Sequence, residues 1–280
     1  MAGVRVVTDS SCDLPASALA EYKIVVVPLT IRFGDEELVD GRDLSTHEFW
    51  SRCQASPVLP ETSAPSAGAF EQAFRDLKAE GADGVVVVTL SSKLSATEQA
   101  ARLGAKALEG ELPVNVVDSL SATLGVGMIA VAAARAAAEG KPLDEVTRVA
   151  EDLVPRTRVY GALDTLENLK KGGRVGNAQA LIGSMLSIKP TVELRDGIVE
   201  PGSKVRTRSR SLRYLVDKVK EQPQLENLAV MHGDAPDIDE FLGMLDPYHP
   251  RDKIIVGDIG AVIGTHSGPR TIGVVFQVPG

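Results

Sequence analysis

Residues 84–102, GVVVVTLSSKLSATEQAAR, constrain the fold more than any other stretch of the chain. Val85, Val86, Val87 and Val88 form an unbroken β-branched run, the composition of a strand buried on both faces of a parallel sheet. A run of hydroxyls follows. Ser95-Ala96-Thr97-Glu98 then reads as a capping box, with Ser95 at the N-cap and Glu98 three residues on. A helix that starts just past a strand end aims unpaired N–H groups and the positive end of its dipole at whatever lies there. A phosphate or carboxylate suits that position, although a serine taken alone need only cap the helix.

The same alternation runs through the first half of the chain. Strands are expected at residues 4–8, 24–29, 85–90 and 114–117, with a hairpin over 29–39 turning at Gly34-Asp35. Helices are expected over 45–54, 67–80, from Ser95, in the Ala-rich segment ending near Glu139, and from Pro142 to about Pro155. Thr62-Ser63-Ala64-Pro65-Ser66 reads as a loop. Strands alternating with helices imply a mainly parallel sheet covered on both faces. The second half reads differently. Arg195-Asp196-Gly197 is a hairpin turn signal between residues 192–194 and 198–199. Helices at 209–220 and 238–245 separate strands at 228–232, 254–256 and 272–278, and the last strand follows a Gly-rich turn. At 280 residues the chain exceeds the usual single core. The expected architecture is α/β, with a mainly parallel-sheet domain over residues 1–157, an α+β domain over 158–280, and a ligand site between or beside them.

Composition narrows the function by exclusion. A net charge of −8 argues against a general affinity for nucleic acid or anionic membrane. Cys12 and Cys53 are too few for a disulfide framework and read as free thiols in a reducing compartment. The opening MAGVRVVTDSS has no apolar stretch of signal-peptide length. The longest apolar helix, around residues 127–138, carries Arg135 and is too short for a bilayer. A cytoplasmic protein with no stable membrane insertion is expected. No P-loop and no G-x-S-x-G elbow occur, which removes support for an ATPase and weakens an α/β-hydrolase reading. Gly125-x-Gly127-x-x-Ala130 lies too far past its strand for a dinucleotide fingerprint and reads as close helix packing. The four histidines are widely separated, and His232-Gly233-Asp234 reads as a strand-end turn before it reads as a metal site.

Five segments set hydroxyls or a histidine beside glycine or proline. They are Asp9-Ser10-Ser11-Cys12-Asp13-Leu14-Pro15, Thr62-Ser63-Ala64-Pro65-Ser66, Leu90 through Thr97, Asp118-Ser119, and Gly264-Thr265-His266-Ser267-Gly268-Pro269. Singly each is a turn or a cap. Several fall at the C-terminal ends of expected strands, where open α/β sheets bind ligands. Their order and spacing resemble the DegV family of bacterial fatty-acid-binding proteins, which includes the FakB subunits of fatty acid kinase. Leu166-x-x-Leu169-x-x-Gly172-Gly173-Arg174-Val175 and Lys189-Pro190 extend the match over essentially the whole chain. Two departures stand out, since the family usually has Gly where this chain has Ala96 and Arg270.

The resemblance implies two α/β-type domains and one long-chain fatty acid, such as palmitate, held inside, with no cofactor. Thr62 and Ser95 match the positions whose hydroxyls hold the carboxylate, and the N–H of Ala96 would add to them. His266 matches a histidine near the head group. Arg174 matches an arginine at the mouth, where a partner kinase would dock. Arg206 joins Lys170, Lys171, Lys204, Arg208 and Arg210 in a basic set that reads either as a solvated face or as part of that docking surface. The implied role is a non-catalytic subunit of fatty acid metabolism that presents its ligand to a separate ATP-dependent kinase. Two other readings stay open. A serine hydrolase or acyltransferase would use Ser95 or Ser92 with His266 as base and Asp9 or Asp118 behind it. A phosphorylated-sugar or nucleotide binder would use the same helix start.

Overall fold

The computed structural model describes residues 3–56, 58–181 and 188–280. In chain order the first half comprises β1 (Val4–Asp9), α1 (Ala16–Tyr22), β2 (Val25–Val27), β3 (Thr30–Phe33) and β4 (Glu36–Val39). It continues with α2 (Thr46–Ala55), β5 (Glu61–Ser63), α3 (Ala67–Ala79), β6 (Gly84–Thr89) and α4 (Thr97–Lys106). β7 (Val114–Asp118), α5 (Leu124–Ala138) and α6 (Leu143–Leu153) complete it. The second half comprises β8 (Thr157–Ala162), α7 (Glu167–Lys171), β9 (Lys189–Arg195), β10 (Ile198–Val205) and α8 (Arg208–Lys220). β11 (Asn227–His232), α9 (Ile238–Leu245), β12 (Ile254–Asp258), α10 (Ala261–Ser267) and β13 (Ile272–Gln277) follow.

The described residues form three sheets. The first is parallel, in the order β2-β1-β6-β7, and every residue of β6 is buried, as a β-branched strand flanked on both sides requires. The second is a small antiparallel sheet, β4-β3-β5. The third is mixed, in the order β10-β9-β8-β13-β11-β12, and draws all its strands from Thr157 onward. The fold is thus α/β with a parallel sheet and a separate mixed sheet. One buried cluster joins the two halves, setting Leu29, Ile31, Phe49 and Trp50 from the first against Ala229, Met231 and Val275 from the second.

Several local expectations hold for stated reasons. Ser45 caps α2 by accepting the Glu48 N–H at 3.2 Å. Asp196 and Gly197 both take positive φ, the backbone that a two-residue hairpin turn between β9 and β10 demands. A Cβ at Gly127 would fall 2.7 Å from the Cys12 carbonyl, so the glycines of α5 serve close packing.

Three expectations need correction. The capping box at Ser95 does not form. The helix begins at Thr97 with Ala96 at its cap, and Glu98 pairs with Arg102 one turn on instead of reaching back. Thr62 and Ser63 lie in β5, because Ile31 and Thr30 supply a strand edge that pairs with them. The Gly264–Pro269 segment is mostly helix: Ala261 to Ser267 form α10, whose last turn carries His266. Two further elements went unforeseen besides β5 and α10, namely β8 and α7. The first lacks the alternation of a half-buried strand because it sits in the middle of a sheet covered on both sides.

Candidate functional site

The loop after β6 is held by groups that the sequence places far apart. Asp9, at the end of β1, is fully buried and accepts from Ser11 N (2.9 Å), Ser11 Oγ (2.5 Å) and Leu90 N (2.8 Å). Burial pushes its pKa up and these donors oppose the rise. Ser91 Oγ donates to the Gly197 carbonyl at 2.8 Å, which ties the loop to the β9–β10 turn. Asp118 Oδ1 accepts from Ser92 N at 3.1 Å. Ser95 Oγ, in turn, accepts the Thr97 N–H at 3.3 Å and lies 2.9 Å from Thr97 Oγ1. Ser95 thus still serves the helix start, though not as the reciprocal cap expected of it.

Asp13 does comparable work across the two halves. Its carboxyl accepts from Thr123 Oγ1 at 2.6 Å and from Gly260 N at 3.0 Å, joining the starts of α5 and α10. Burial pushes its pKa up to about 8, with the charges of Asp40 and Asp9 adding to the effect. Thr123 has φ 50°, a left-handed backbone that a β-branched residue rarely adopts. The acidic residues of the N-terminal motif are therefore braces, not ligand contacts.

Between the mixed sheet and the overlying segments lies a cavity of about 270 Å³. An apolar cavity of about 150 Å³ is enough to hold benzene, so this one takes a ligand well beyond a single ring. Thr62, Ser95, Ala96, Arg174 and His266 all line it, and they arrive from four separate segments. Arg206 is not among the lining residues; it lies exposed between β10 and α8. Most of the remaining lining is apolar, including Leu163, Leu169, Val192, Leu194 and Ile263.

A chain of contacts draws the polar liners together. His266 Nε2 lies 2.9 Å from Thr62 Oγ1. Desolvation, with the Arg174 charge as a smaller cause, brings the His266 pKa down to about 4, so the ring is neutral at physiological pH. Arg174 donates from Nε to the Leu94 carbonyl at 3.0 Å, next to Ser95, and from a terminal nitrogen to the Gly172 carbonyl at 2.7 Å. A neutral imidazole carries one N–H. Nδ1 of His266 is buried without a partner, packed so closely on Gly172 that a Cβ there would come within 2.3 Å. An orphaned buried donor is rarer and costlier than an under-used acceptor. The proton therefore belongs on Nε2, which donates to Thr62 Oγ1 and leaves the threonine's own proton to donate into the cavity. His266 is a positioning residue, and Thr62 a donor aimed by it.

Sequence reasoning missed four hydroxyl-bearing liners, Thr123, Tyr160, Ser267 and Thr271, the last of which donates its hydroxyl to the Ser267 carbonyl at 2.9 Å. Thr123 is turned toward Asp13, while Ser267 Oγ is buried with no protein partner. A left-handed threonine leaves no signature in composition, and Ser267 was visible only as part of the histidine motif. Arg270 takes φ 62°, which accounts for the glycine usual at that position. Its charge acts on Asp237, where Arg208 is the main cause of a lowered pKa. A hydrolytic triad does not assemble. His266 Nε2 is bonded to Thr62, its Nδ1 meets no acid, Asp9 holds Ser11 and Leu90, and Asp118 holds Ser92 and Leu120. Among the described residues, no cluster of His, Cys, Asp or Glu could hold a metal ion, and no helix is long and apolar enough to cross a membrane.

Fold and cavity together define a class: α/β proteins with a mostly apolar cavity between a mixed sheet and the loops of a parallel one. The family model described as "Uncharacterised protein, DegV family" matches residues 3–278, and the chain belongs to that family. It is 39% identical over 281 residues, 98% of both chains, to a DegV domain-containing protein of Streptomyces coelicolor. Among solved structures it is similar to a DegV family protein from Thermus thermophilus described by its fatty acid binding, with 30% identity and a TM-score of 0.90. That likeness covers 99% of this chain and all of the other. It is also similar to DegV of Bacillus subtilis, described as a fatty acid binding protein, with 26% identity, full coverage of both chains and a TM-score of 0.84.

Proposed function

We propose that this protein binds one long-chain fatty acid, with its carboxylate held by the Thr62 and Ser95 hydroxyls and its tail buried along the mixed sheet. The observation that carries this reading is a single apolar cavity whose polar liners gather at Thr62, His266, Arg174 and Ser95. An acyl tail of roughly fifteen methylenes, each worth about 0.8 kcal/mol on burial, contributes about 12 kcal/mol before the costs of association. The tail therefore provides affinity without polar contacts. The head group is the expensive part, because an unpaired buried carboxylate is strongly disfavoured. Two hydroxyls and the Ala96 N–H at a helix start can satisfy it, with Arg174 nearby as a fixed cation. The solved relatives described as fatty acid binding support the fatty acid as ligand.

The finer proposal is that the bound acid is presented, in the cytoplasm, to a separate ATP-dependent kinase subunit. A carboxylate oxygen would attack the terminal phosphorus of ATP and release ADP, leaving an acyl phosphate. This chain's part is to bind and orient; the reading asks for no cofactor and no turnover here. A neutral His266 suits that part, since it orders Thr62 without neutralising the nucleophile. Lys170 and Lys171 stand exposed on α7 beside the Arg174 turn, a cationic surface suited to a partner that carries phosphates. Denaturing the natively purified protein and extracting it should release fatty acid in near-stoichiometric amount by mass spectrometry. An extract without fatty acid, from protein that also fails to take up added palmitate, would sink the proposal.

A further inference from the structure

The floor of the cavity is one face of the mixed sheet, and the strand register gives its rows directly. One row runs Val192, Gly161, Gly273, Met231 across β9, β8, β13 and β11. The adjacent row runs Leu194, Val159, Val275, Ala229 across the same strands. Residues directly opposed in an antiparallel ladder share a face. All four residues of the first row line the cavity. Two neighbouring strands at its centre therefore carry no side chain, and strands in a sheet lie about 4.8 Å apart.

Neither glycine is required by the backbone, since neither has a positive φ. Crowding does not require a glycine at 161, where the neighbours are the movable ends of two side chains, and presses only on one backbone carbonyl at 273. A Cβ at Gly161 would meet the ends of Leu163 and Val192 at 3.3 and 3.4 Å, and one at Gly273 would meet only the Tyr160 carbonyl, at 3.1 Å. Glycine in a strand interior weakens it and often marks the close approach of a ligand. What the pair supplies is room: a notch in the floor, flanked by Val192 and Met231 and bounded along the strands by Val159 and Val275.

We propose that this notch selects the shape of the acyl tail, favouring one that is bent or widened at the depth of Gly161 and Gly273 over a straight one. The inference rests on the fatty-acid reading above. A straight chain leaves the notch unfilled and forfeits the dispersion contacts of its walls. A cis double bond or a methyl branch fills it.

The test compares four acids of equal carbon count on the native protein: saturated straight-chain, trans-unsaturated, cis-unsaturated and methyl-branched. The cis or the branched acid should bind about fourfold or more tightly than the trans acid, the effect of burying one further methylene. Which of the two gains more distinguishes a bend from a branch. Gly161→Ala and Gly273→Ala should each reduce that preference, costing the cis or branched acid more than the straight acids. Ratios measured on one preparation do not depend on its active fraction, and the wild-type ratio alone decides if a variant fails to fold. Equal binding of cis, branched and trans acids by the native protein, or an equal loss for every acid in the alanine variants, would overturn the notch and leave the fatty-acid reading intact. Native protein that bound none of the four would overturn both.

Discussion

The two ends of the cavity are built by opposite means. The polar end is assembled from one or two residues on each of four segments: Thr62 on a short edge strand, Ser95 and Ala96 before a helix, Arg174 in a turn, and His266 in the last turn of α10. The apolar floor comes from four neighbouring strands whose side chains alternate regularly. Precision at the polar end depends on braces behind it, such as Asp9, Asp13 and Gly172. The floor needs only the register of the sheet. A recognition site for one charged group can thus be spread widely along a chain, whereas a surface for a greasy tail is most simply one continuous face.

Substitutions at the polar end give the sharpest contrast. Thr62→Ala and Ser95→Ala should each weaken fatty acid binding by between about tenfold and a hundredfold, the worth of a hydrogen bond to a charged group. Thr62→Ser should recover most of the loss in a titration with a fluorescent fatty acid. Losses below twofold for both alanine variants would mean that the floor alone sets affinity. Gly172→Ala should have a smaller effect, up to about tenfold, because its Cβ displaces His266 and unfixes the Thr62 hydroxyl without removing it. Unchanged binding in that variant would show that Thr62 needs no support from the histidine.

Asp13 sharpens the comparison through pH. Its folded-state pKa, about 8, lies above the ordinary carboxylate value of 3.8. Between those values the folded state holds more protons than the unfolded one, so this group's stabilisation is full at low pH and is lost as pH rises through about 8. The slope it contributes is up to about 1.4 kcal/mol per pH unit. Asp13→Asn mimics the neutral acid, with an amide N–H toward Thr123 and a carbonyl toward Gly260. Denaturant midpoints from pH 6 to 9 should fall less steeply in that variant than in the wild type, with binding at pH 7 nearly unchanged. Parallel slopes would mean that Asp13 is ionised throughout.

How much of this was legible in the sequence follows the same division. The polar end was readable because hydroxyls beside glycine and proline stand out at strand ends, and all but one of the six residues singled out line the cavity. Arg206, expected on a docking surface and not in the cavity, lies exposed between β10 and α8. The parallel sheet was also readable, because Val85–Val88 can only be buried on both sides. The floor was not. Thr157–Ala162 mixes Arg, Tyr and Gly without a half-buried rhythm, so the strand that carries Val159 and Gly161 went unseen. Helix α10 was hidden by Gly260 before it, Gly264 within it and the Gly-Pro that follows it. The Ser95 capping box failed because Arg102 offers Glu98 a partner one turn away.

The most direct measurement of the central claim is a crystal structure with a fatty acid carrying bromine on its terminal carbon. The account predicts carboxylate oxygens about 3 Å from Thr62 Oγ1 and Ser95 Oγ. It places the anomalous bromine peak against the mixed sheet, away from His266 and Arg174. A bromine beside Thr62 and Ser95, with the carboxylate at the far end or outside the cavity, would contradict it.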